Sequence, residues 1–145
     1  KVLNSVRFYI SWIVSAILMY AAFYIWHGVF LNDINSITFP KLIFLGLAAI
    51  VYLVIAVILY KIFETNLMAK YFYSPMLRGI MSGIILGFFL FAFVTVLGIS
   101  FTKNHSLTNI LVDCVWQIIE QMLGGAIIAL GKIFIFEPHL EMEKE

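Results

Sequence analysis

Charge is what this chain has least of: Asp, Glu, Lys and Arg make up 12% of its 145 residues, against about 25% in a soluble domain. The charges nearly cancel, at a net +1. No basic surface therefore points to nucleic acid, and no acidic run points to a polycation. Cysteine occurs once, as Cys114, which excludes an internal disulfide framework and CxxC redox chemistry. Catalytic signatures are missing too. There is no HExxH, no glycine loop leading into a phosphate-binding lysine, and no GxSxG. Only His27 among the histidines falls in a long apolar stretch, so a bis-histidine haem within one chain is not expected, nor is any other cofactor.

What is present is hydrocarbon. Hydrophobic residues make up 63% of the chain and aromatics 17%, with a mean hydropathy of +1.05. A water-facing fold of this size cannot hide so much apolar surface, and the bilayer becomes the expected solvent. A membrane-spanning helix needs about 20 mostly apolar residues. Four windows qualify: Phe8 to Leu31, Leu42 to Phe63, Leu77 to Phe101 and Ile110 to Phe136. The three prolines, Pro40, Pro75 and Pro138, all lie outside them, which favours unbroken helices and argues against carriers that bind substrate at unwound segments. The alternating pattern of a β-barrel is absent. The first window is too long for a cleaved leader and reads as a retained span.

The expected fold is therefore all-α, one four-helix transmembrane domain over residues 1–145, joined by short connections as an up-down bundle. Seven cations fall on one side: Lys1, Arg7, Lys61, Lys70, Arg78, Lys132 and Lys144. Only Lys41 and Lys103 fall on the other. The positive-inside rule places both termini in the cytoplasm, with the cytoplasmic (inner) membrane of a prokaryote as the expected location. The stretch from Lys61 to Ser74 mixes charges with Leu67, Met68, Tyr71, Phe72 and Tyr73 and suits the headgroup interface.

Two kinds of residue stand out within the spans. Gly79, Gly83 and Gly87 form a GxxxGxxxG track in the third window, Gly125 and Ala129 form a small pair in the fourth, and Ser11, Ser15 and Ala22 form a weaker stripe in the first. Such tracks allow close helix approach, either within the chain or to a second copy or another subunit. The fourth window also carries Asp113, Gln117, Glu120 and Gln121, while Tyr20, Tyr24 and His27 repeat at the same three- and four-residue offsets in the first. Counted inward from the outer surface, these suggest three layers: His27 with Asp113, Tyr24 with Gln117, and Tyr20 with Glu120. Intramembrane ionisable groups are costly and are functional candidates by default. His27, Asp33, His105 and Asp113 match no recognised ligand spacing, so no metal is expected. Cys114 reads as a small packed hydrophobe, and the tail His139-x-Glu141-x-Glu143-x-Glu145 as solvated.

Three functional readings follow. The sequence favours a small accessory or scaffold subunit docking on other membrane helices through Gly79, Gly83 and Gly87. Second is a proton- or cation-coupled carrier working as a homodimer through Glu120. Third, with least support, is a membrane enzyme using Glu120, Asp113 or His27 as acid or base.

Overall fold

A computed structural model describes residues 5–101 and 107–135. Those residues form five α-helices and no strand: α1 (Val6–Tyr24), α2 (Lys41–Phe63), α3 (Asn66–Tyr71), α4 (Pro75–Phe101) and α5 (Leu107–Phe134). All but α3 are long and apolar enough to cross a membrane. Phe136, Lys103, His105, Pro138 and the His139–Glu145 tail, all used in the sequence reading, lie outside the described residues, as does Lys1.

Local chemistry sets the ends. Ser5 caps α1 by accepting a hydrogen bond from the Phe8 amide at 3.0 Å, and Thr65 caps α3 in the same way through Met68. Pro75 opens α4, the position where a missing N–H costs nothing because the first turn has no partner for it. The first span is not α-helical to its end. Residues Ile25–Phe30 form a π-turn, with the Leu31 amide donating to the Trp26 carbonyl at 2.8 Å. Asn32 then takes a left-handed conformation (φ 53°), which asparagine tolerates better than most residues. A short 3-10 turn, Asp33–Ser36, leads to α2.

Two helices carry the packing. The buried face of α2 is the stripe Tyr52, Ile55, Ala56, Leu59, Tyr60 and Phe63, spaced at three and four residues as one helical face requires. Its other faces leave Leu42, Ile43, Leu47, Ile50, Val51 and Val54 exposed, as suits contact with lipid. Against α2 lies α1: Phe8 meets Tyr60 edge-on at 4.9 Å, and Phe23 meets Phe44 at 6.4 Å. Between these contacts the Trp12 indole donates to the Leu53 carbonyl at 2.8 Å.

The other organising helix is α5, whose small residues face two neighbours. Gly79 sits against Gly125 and Ala129, Gly83 against Gln121 and Met122, and Gly87 against Gln117 and Ile118. On a second face, Gly124 receives Met19, and Gly131 receives Ser11. A methyl group at Gly79, Gly83 or Gly125 would strike backbone atoms of the facing helix rather than a side chain that could swing aside. The third-window track is thus occupied within the chain, and close backbone approach explains why it is glycine.

Candidate functional site

Midway along the 28-residue α5 stand two adjacent polar side chains, Glu120 and Gln121. Both are buried, at 1% and 0% exposure. Helices that bury small faces against one another leave little room, so a carboxyl here is enclosed on several sides. The polar side chains facing Glu120 are Tyr52 of α2 and Trp116, one turn earlier on α5. Tyr52 and Trp116 approach the carboxyl, yet among the described residues Glu120 Oε1, Trp116 Nε1 and both terminal atoms of Gln121 have no well-aligned hydrogen bond. Buried polar atoms are satisfied in the large majority of cases. Here Glu120 and Gln121 carry such atoms side by side, with that of Trp116 one turn away.

The remaining candidates lie around this centre without joining it. Tyr20 donates its hydroxyl to the Leu45 carbonyl at 3.2 Å and sets its ring 6.1 Å from that of Tyr52. Tyr24 is 47% exposed. Gln117 is half-buried beside Gly87, and Asp113 is exposed. His27 packs its ring against Phe23 at 5.1 Å. It also lines a pocket of about 350 Å³ with Phe23, Ile34, Ser36, Ile37 and Phe44.

At the innermost of the expected layers, the residue of another helix that faces Glu120 is Tyr52. The aromatic face of α1 turns to α2, and the first span meets α5 through Ser11 and Met19 of α1 and Trp26 of the π-turn, the last stacked on Trp116 at 4.5 Å. The reason is steric. In a bilayer no hydrophobic force draws helices together, so the closest approach goes to the face with the least bulk. On α1 that face carries Ser11 and Ser15, not Tyr20 and Tyr24. The partner of Glu120 is then Tyr52, which the sequence reading passed over. The same counting would have found it: Tyr52 lies ten residues into its window from Leu42, as Glu120 does from Ile110.

A second polar group gathers at one end of the four long helices. Lys132 lies 3.5 Å from Glu64. Both Lys132 and Arg78 stand over the fully buried Phe63 ring, at 5.7 and 5.4 Å. Arg78 also donates to the Phe72 carbonyl at 3.3 Å, so this cluster ties helix ends together through paired cations. Ser15 and Ser82 donate to carbonyls of their own helices, which lets them sit at packed surfaces without open donors. Among the described residues no group of three or more metal-ligating side chains occurs. Asp33's side chain and His105, two of the four considered, are outside that description.

Comparison with protein-family profiles, curated proteins and solved structures finds no match. The functional reading rests on the geometry.

Proposed function

We propose that this chain is a small integral membrane protein that binds and exchanges a proton or small cation at Glu120, as a carrier built from two copies of a four-helix unit. The observation that carries the reading is the open carboxyl oxygen of a fully buried glutamate halfway along a membrane-length helix. A polar tie kept for stability alone gains from having every atom satisfied, because an unpaired buried group forfeits its solvation. A group that must take up and release an ion cannot have all its bonding positions filled by protein. Two copies are invoked because four helices enclose little pathway by themselves.

The reading places the four long helices up and down in turn, with both termini in the cytoplasm of a prokaryotic cell. Its supports are the seven-to-two distribution of cations and the order of helix contacts. Partners of Gly79, Gly83 and Gly87 descend along α5 from Ala129 to Gln117, and partners of Phe8, Trp12 and Phe23 descend along α2 from Tyr60 to Phe44. Gly79, Gly83 and Gly87 face α5, so an accessory subunit would have to dock through another surface. An acid–base enzyme gains no support from a glutamate whose facing side chains are Tyr52 and Trp116.

Dicyclohexylcarbodiimide tests the site. This apolar reagent couples to protonated carboxyls from the hydrocarbon side. Mass spectrometry should find the adduct on Glu120, with a yield that falls as pH rises, and none on the Glu120→Gln chain. Proteoliposomes should then show ion flux under an imposed gradient, lost in Glu120→Gln at unchanged elution volume. An unmodified Glu120 across the pH range removes the site; a modified Glu120 without flux removes the carrier.

A further inference from the structure

Phe23 stands at a junction. On one side its ring lines the pocket of about 350 Å³ formed with His27, Ile34, Ser36, Ile37 and Phe44. On the other it lies 5.5 Å from the ring of Tyr52, the residue that faces Glu120. The rings of Tyr20, His27 and Phe44 surround it at 6.0, 5.1 and 6.4 Å. The pocket thus ends on Phe23, and the polar centre begins one side chain beyond.

The pocket lies at one end of the first span, beside the connection to α2. It forms where α1 gives way to the π-turn and the chain returns through the 3-10 turn to α2. Ser36 on its rim is exposed, whereas Ile34 at its inner wall is buried. At about 30 Å³ of liquid volume per water, the space suits on the order of ten waters. His27, carried on the π-turn, and Ser36 are the polar residues in a wall otherwise made of Phe23, Ile34, Ile37 and Phe44. Insertions of this kind within α-helices recur at functional sites.

We propose that this pocket is the aqueous vestibule of the Glu120 site, and that Phe23 is the side chain closing the passage between His27 in the vestibule and Tyr52 beside the carboxyl. The vestibule admits hydronium or a small hydrated cation, and the Phe23 ring must move aside for the ion to pass Tyr52. Phe23 is a gating residue that touches neither the ion at rest nor the carboxyl. This inference rests on the reading of Glu120 given above, and its test separates the two.

The purified full chain is treated with a water-soluble carbodiimide and an amine nucleophile, and the Glu120 adduct is quantified by mass spectrometry. Phe23→Ala should raise the rate about tenfold, since an aromatic contact holding a passage shut is worth roughly that factor. A thiol-reactive bulky group attached at Ser36→Cys, in a Cys114→Ser background, should suppress the reaction in both the parent and the Phe23→Ala chain. Ser36 is exposed, so a group attached there is reached from outside the fold. Dicyclohexylcarbodiimide, arriving through lipid or detergent, is the reference. If it labels Glu120 in both chains while the aqueous rate is the same with and without Phe23, the vestibule is wrong and the Glu120 site stands. If the Phe23→Ala rate rises but ignores the group at Ser36→Cys, water reaches Glu120 by another route and the proposal is again overturned. If the apolar reagent labels neither chain, the site fails and takes the vestibule with it.

Discussion

Adding one methyl group at Gly83 probes the seam between α4 and α5 directly. A Cβ there would lie 2.7 Å from the backbone carbon of Gln121 and 2.7 Å from the Cα of Met122, and closer still to the Gln121 carbonyl oxygen. These are backbone atoms of a rigid helix, so no side chain can yield. To restore ordinary contact the helices must part by about 1 Å, and a gap of that size forfeits a quarter to a half of each dispersion contact across it. Overpacking of this kind costs roughly 1–3 kcal/mol, and with every neighbour a backbone atom the upper half of that range applies. Alanine returns up to about 1 kcal/mol through its better helix propensity. The net expectation is a loss on the order of 1–2 kcal/mol. Gly46 is the control: a Cβ there meets nothing within 4 Å, so Gly46→Ala keeps only the propensity term and moves stability the other way. Denaturant titration of helicity in detergent, read by circular dichroism, compares the pair. Association measured by size exclusion should not change in Gly83→Ala, because the seam lies inside one chain. If Gly83→Ala melts at or above the stability of Gly46→Ala, the close approach of α4 and α5 is refuted.

The Trp26–Trp116 stack should show a coupling of about 0.5–1.5 kcal/mol in a double-mutant cycle to alanine. A cycle on His27 and Asp113 tests the outer layer of the sequence reading: a coupling of similar size is the expected result if the two meet, and additive effects on stability remove the layer. Lys132→Met keeps the length of the side chain but removes a cation 3.5 Å from Glu64, whose side chain is 12% exposed. Stability should fall by roughly 1–3 kcal/mol with little dependence on salt, since partly buried pairs are weakly screened; a wild-type melting curve would show that the contact contributes nothing.

How much of the site was legible depended on which property each residue used. Glu120 announced itself because a carboxylate in an apolar window is expensive wherever it ends up. Tyr52 did not, because a tyrosine within a span is compatible with lipid, interface or interior. Only the rotation of α2, set by which stripe packs against α1 and α5, turned Tyr52 inward. The π-turn carrying His27 has no counterpart in the hydrophobic pattern either, since residues 25–30 read as the continuation of a regular span. Gly131 was similarly silent: it stands alone in sequence, and its need to be glycine comes from Ser11, 120 positions earlier in the chain.

The sequence by itself determined the helical class, the number of helices long and apolar enough to cross a membrane and nearly all of their limits, because length, apolar content and proline placement act locally and do not depend on what packs where. It also determined that Gly79, Gly83 and Gly87 would meet another helix closely. Which helix, and which face of each, only the tertiary structure decided. In hydrocarbon, apolar faces are nearly equivalent, so pattern alone does not rank them. Rotation is settled by steric fit between small residues, and the polar side chains are carried to wherever that fit leaves them: Glu120 to Tyr52, Trp26 to Trp116, and Phe23 between a pocket and a buried carboxyl.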